Sequence, residues 1–163
     1  MIRREGVAAS GCRSFAERRC EGKEGVRMVS TRLAGRLDVL PICLIAYTAA
    51  SLFHYSHNAE FLNDYPNLPV WLSRAEVYSA WFAVTAIGAT GYLLLRSRYH
   101  VAGLLVLTLY GVLGLDGLGH YAVAPLAAHT MLMNLSIWLE VATAVLLLTA
   151  IGHSMLIVTR PVH

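Results

Sequence analysis

The sequence predicts an all-α membrane protein, a four-helix up-down transmembrane bundle preceded by a disordered basic tail. Three observations lead there: a shortage of charge, the crowding of basic residues at one end, and four apolar runs of spanning length. Of 163 residues, 56% are hydrophobic and 14% charged, where a soluble domain carries about a quarter charged residues. The mean hydropathy is +0.55. Lipid is the solvent such a composition suits.

Nine of the 13 Lys and Arg residues precede residue 37, from Arg3 and Arg4 to Arg32 and Arg36. Residues 1–36 lack apolar periodicity and are rich in Gly, Arg and Glu, a composition that cannot bury enough surface to fold. Met28 offers an internal start, so residues 1–27 read as an upstream extension. The net charge of +3 describes this tail rather than a binding face, and no nucleic-acid partner is expected. Cys12, Cys20 and Cys43 have neither zinc-type spacing nor a disulfide pattern and read as free thiols.

A transmembrane domain over 37–158 follows, with spans at about 37–56, 77–95, 101–123 and 131–158. Each is near the roughly 20 residues that cross about 30 Å of hydrocarbon. Gly88 and Gly91 in the second span, and Gly111, Gly114, Gly117 and Gly119 in the third, suit close helix packing in lipid. The long connection, 57–76, carries Asn63-Asp64-Tyr65-Pro66 and Pro69-Val70-Trp71, which read as turns with aromatic groups at a membrane interface.

The Arg bias orients the bundle. Arg32, Arg36, Arg96, Arg98 and Arg160 flank one side, whereas the 57–76 connection has only Arg74 and the 124–130 connection has none. Both termini are therefore expected in the cytoplasm, in a bacterial inner membrane or its equivalent. Ala127→Cys is expected to react with an impermeant thiol reagent added from outside, and Ser97→Cys is not. Labelling of Ser97→Cys from outside would invert the topology.

Ionisable groups in spanning helices are costly and default to function. With antiparallel order, those scattered along this chain converge. His54 and His57 close the first span with Glu60 just beyond, Glu76 opens the second, Asp116 and His120 lie late in the third, and His129, Asn134 and Glu140 surround the start of the fourth. At 1.5 Å per residue, His54, His120 and Asn134 lie about 4–5 Å below the outer edge, and Asp116 and Glu140 about 10–14 Å. Asp116 and His120 are four residues apart, and Ser51 lies one turn before His54. The expected site is an outward pocket with Asp116 and Glu140 at its floor and histidines at its mouth.

Three chemistries fit such a pocket. His54, His57, His120 and His129 are candidate ligands for a transition metal, Zn, Fe or Cu, with Asp116 or Glu140 as general base of a metal-dependent hydrolase. His54 and His120 could instead ligate a haem for electron transfer. A transporter, sensor or accessory subunit would use the acids to bind a proton, a cation or a small-molecule or lipid ligand without catalysis. Ser51, Glu60, Glu76 and Asn134 complete the expected lining.

Ser51-Leu52-Phe53-His54 resembles the serine and Phe-His stretch of the alkaline ceramidase type of intramembrane zinc hydrolase. The resemblance implies His54 as a zinc ligand, with Asp116 and His120 as further parts of the site. It covers a handful of residues. Those enzymes have seven spans and a His-x-x-x-His motif that this sequence lacks, so no substrate class follows from it.

Overall fold

The computed structural model describes residues 39–158. The tail expected over 1–36, with Cys12, Cys20 and Met28, lies outside the described residues. Helix α1 is Val39–Glu60, α2 is Arg74–Arg96, α3 is His100–Leu113, α4 is the short Gly119–Val123, and α5 is Met131–Val158. Three 3-10 turns, Leu62–Asp64, Asp116–Leu118 and Leu126–Ala128, occupy the connections.

Four apolar stretches of 22 to 26 residues are long enough to span a bilayer: Val39–Glu60, Arg74–Arg96, His100–Val123 and Met131–Leu156. Large side chains such as Ile42, Ile45, Phe82, Leu93, Leu105 and Leu146 point away from the bundle, where only lipid makes them stable. The chain is a four-helix, multi-pass integral membrane protein. Helix α1 packs on α2 and α5, α2 on α3, and α3 on α5, closing a ring of antiparallel neighbours.

The span ends differ from the expected ones for local reasons. Helix α1 continues to Glu60 because His54 and His57 turn inward and are buried, so its polar last turns still have a packed face. Helix α2 starts three residues early, at Arg74, on a capping box in which the Ser73 hydroxyl accepts from the Glu76 N–H and Glu76 Oε2 accepts from the Ser73 N–H at 2.7 Å. The third span is interrupted. Regular α-helix ends at Leu113, and the Asp116–Leu118 turn joins it to α4, while Asp116 and His120 still face a common cavity.

The core away from these ends is built from Leu40, Tyr47, Leu104, Leu107, Tyr110, Ala144, Leu147 and Ile151. The rings of Tyr47 and Tyr110 lie 4.6 Å apart, and Tyr47 donates to the Tyr110 carbonyl at 3.3 Å. Glycines admit these rings: a Cβ at Gly114 would meet Tyr47 at 2.5 Å, and one at Gly88 would meet Tyr110 at 2.7 Å. Gly91 faces Leu107 and Gly111 faces Leu148. Close packing through these four glycines agrees with the sequence. Gly119 has only the Asp116 side chain nearby, at 3.8 Å.

Candidate functional site

The end of α1, the Leu62–Asp64 turn and the segment after it, the start of α2, the broken region from Leu113 to His120 and the first turns of α5 meet at one end of the bundle. They enclose a cavity of about 220 Å³ lined by His54, Tyr55, Asn58, Glu76, Asp116, His120 and Glu140 on its polar side. Leu62, Leu68, Leu72, Val77, Ala80 and Leu113 form its apolar side. Gly117 also lines it, and a Cβ there would stand 3.3 Å from Glu140 Oε2. The missing side chain keeps that carboxyl open to the cavity.

His54 is the most constrained member, with 2% of its surface exposed. Its Nδ1 lies 3.1 Å from Ser136 Oγ, and the Ser136 hydroxyl donates its one proton to the Met133 carbonyl at 2.8 Å. Ser136 must therefore accept, so His54 carries its proton on Nδ1 and presents a lone pair at Nε2. Asn58, one turn further along α1, meets that lone pair with its amide Nδ2 at 3.1 Å and reaches His120 Nε2 at 3.4 Å. One amide NH2 thus bridges two neutral imidazoles.

Glu140 Oε2 stands 3.6 Å from the same His54 Nε2, and Glu140 is 2% exposed. The Ser51 hydroxyl, fully buried, lies beside the Glu140 carboxyl without meeting hydrogen-bond geometry. Asn58 Oδ1 is also buried with no hydrogen-bond partner. Asp116 lines the same cavity from the 3-10 turn within the third span.

Tyr65 joins the remaining histidines. Its hydroxyl lies 2.8 Å from His57 Nδ1, and its ring is 5.1 Å from His120 and 6.5 Å from His129. Burial pushes the Tyr65 phenol up to about 12, so at neutral pH it keeps its proton, and the hydroxyl and the His57 ring are joined by one hydrogen bond. Tyr65 is only 4% exposed, which corrects its reading as a membrane-interface residue; Phe61 and Trp71 are exposed aromatics of that connection. Asn67, at φ 60°, ties the same segment down by donating to the Val123 carbonyl at 2.9 Å.

The structure brings together His54, His120, Asp116, Glu140, Glu76 and Ser51. His57 faces Tyr65 and stacks on Phe61 at 4.7 Å. His129 donates from Nδ1 to the Pro125 carbonyl at 3.1 Å, leaving Nε2 buried without a partner. Its ring is 6.1 Å from that of His120. Asn134 supports the 124–130 connection, accepting from Tyr121 at 2.8 Å and donating to the Leu126 and His129 carbonyls. Glu60 is outside the cavity, paired with Arg74 at 3.2 Å and accepting from Tyr78. Among the described residues no group of three or more His, Cys, Asp or Glu side chains is placed to hold a metal ion.

Sequence reasoning missed Asn58 and Ser136. Both were within reach of the helical repeat, four residues after His54 and four before Glu140. No protein-family model, no curated protein and no solved structure matches the chain.

Proposed function

We propose that this membrane protein binds a small molecule in the cavity and exchanges a proton with it through His54 and Glu140, with Asp116 as a second carboxyl facing the ligand. The 3.6 Å approach of Glu140 Oε2 to His54 Nε2 carries the reading, with Asn58 Nδ2, 3.1 Å from the same nitrogen, giving way when that nitrogen takes a proton. Two electron-rich atoms approach each other there, an arrangement that is attractive only when a cation lies between them. A proton is the smallest such cation, and across this gap it passes through one bridging water or on closer approach, direct transfer needing about 2.6–3.2 Å. The volume of about 220 Å³ falls below the roughly 300–1,000 Å³ of drug-sized sites, which favours a small ligand.

A transition ion, Zn, Fe or Cu, is the other cation that could fill the gap, but His54, His120 and Glu140 would have to move to close on it, since among the described residues no three such side chains are placed to hold a metal. The haem alternative gains no support from the pair His54 and His120, whose rings meet edge to face at 5.4 Å with Asn58 bridging them. No flat slot separates them. In the membrane, the cavity would open outward with both termini in the cytoplasm, as the Arg distribution indicates.

Infrared spectroscopy of the full chain in lipid nanodiscs tests the proposal. A carboxylic acid C=O band that responds to pH is expected in the wild type and should be absent from Glu140→Gln. An unchanged band would remove the shared proton from Glu140. Metal analysis and an optical spectrum of the same sample belong with it: a stoichiometric ion lost in His54→Ala and His120→Ala would replace the proton by a metal, and a Soret band would install haem.

A further inference from the structure

The chemical class of the ligand can be read from what the cavity leaves unmatched; the argument rests on Glu140 being the cation-holding group. The carboxyls of Glu140 and Asp116 line the cavity with no Lys or Arg beside them. Glu140 is almost fully buried, with the Ser51 hydroxyl beside it and His54 Nε2 at 3.6 Å. Asp116, which is exposed, lines the same space.

The donors in the lining carry no fixed charge: the Tyr55 hydroxyl, the Asn58 NH2 and the two imidazole rings. No Lys or Arg lines the cavity, and Arg74, the basic residue that opens α2, is paired with Glu60. A buried acceptor left unmatched costs about 1–3 kcal/mol, and a charged one more. The complement of this set is a cation that carries several N–H groups. The rest of the lining, Leu62, Leu68, Leu72, Val77 and Leu113, can contact only hydrocarbon.

We infer that the cavity binds a small amphipathic amine as its ammonium ion, with the nitrogen at the Glu140 and Asp116 carboxyls and the apolar group against the leucines. An ammonium brings both a positive charge and several N–H donors to those carboxyls. An alcohol brings no charge, and a carboxylate would face Glu76, Asp116 and Glu140 with no cation to receive it. A quaternary ammonium has no N–H and is recognised by aromatic cages, whereas Tyr55 and the two imidazoles are the only rings in the lining. A free amine and an amine carried on a lipid headgroup present the same nitrogen chemistry.

Calorimetric titration of the full chain in phosphatidylcholine nanodiscs tests this with benzylammonium, benzyl alcohol, benzoate and benzyltrimethylammonium as probes. Saturable 1:1 binding is expected for benzylammonium alone, at least tenfold weaker in Glu140→Gln and several-fold weaker in Asp116→Asn. Asp116 is exposed, so its variant keeps the test available if Glu140→Gln fails to fold. Equal binding of benzyl alcohol or benzoate, no effect of either substitution in folded protein, or no saturable benzylammonium binding would overturn the amine assignment. Competition by added phosphatidylethanolamine would identify a lipid headgroup as the source, and its absence a free amine; both support the chemistry. A wild-type carboxyl band that disappears in Glu140→Gln without any amine binding would defeat the ligand class while leaving the shared proton intact.

Discussion

Gly103→Ala is expected to destabilise the bundle by about 1–3 kcal/mol, the range for forcing a methyl into a filled core. The reason is backbone, not side chain. A Cβ at Gly103 would collide with the Leu95 amide nitrogen and stand 2.7 Å from Leu95 Cα and 2.9 Å from the Gly91 carbonyl oxygen. A flexible side chain could swing aside; a helix backbone cannot. Helices α2 and α3 are joined only by residues 97–99, so they cannot part at this end without straining the link. Gly152, an exposed helical position where an added Cβ meets nothing within 4 Å, is the matched control: Gly152→Ala should be neutral or up to about 1 kcal/mol more stable than wild type, alanine being the better helix former. Unfolding titrations of both variants in mixed micelles measure the contrast. Equal stability of the two would mean that the α2–α3 approach is looser than the structure has it.

Gly103 also marks a boundary of what the sequence reveals. The four spans are legible because about 20 apolar residues are a physical requirement for crossing hydrocarbon. Which glycine bears a backbone contact depends on how two helices cross, and hydropathy carries no information about that. Gly88, Gly91, Gly111 and Gly114 stood out because they recur along a span; Gly103, near the start of one, did not. The break after Leu113 was hidden for a related reason. Asp116-Gly117 is a turn signal in itself, but the apolar run on either side of it outweighs it when hydropathy is averaged over a span. In the site, His54, His120, Asp116 and Glu140 could be assembled on paper because charge is rare in these helices and antiparallel order brings span ends together. Asn58 and Ser136 could not be singled out by the same rule. Neutral polar residues are common in membrane helices, and their importance lies in which histidine nitrogen they meet. Tyr65 was misread because a loop tyrosine beside a membrane resembles an interface anchor until the loop folds inward over His57 and His120.

His54→Ala should be the most damaging single change at the site, because it strips three groups at once. Glu140 Oε2 loses its 3.6 Å neighbour, Ser136 loses the proton it accepts, and Asn58 loses one of its two acceptors. Removing one member of a buried pair costs about 3–5 kcal/mol when the survivor stays charged. Interhelical hydrogen bonds in lipid average nearer 0.6 kcal/mol, so the two magnitudes separate two states of Glu140. A loss near the larger value would mean that the carboxylate is left charged and alone. A loss near the smaller would mean that Glu140 takes up a proton once His54 is gone. The double-mutant cycle of His54→Ala with Glu140→Gln resolves this, since neighbours of this kind couple by about 0.5–3 kcal/mol. If a proton is shared across the gap, Glu140→Gln should recover most of the loss caused by His54→Ala, because the amide is neutral whether or not the imidazole faces it. Strict additivity of the two changes would show that His54 and Glu140 are neighbours without a common cation. The acid–base role proposed for them would then fail even if the cavity still binds a ligand.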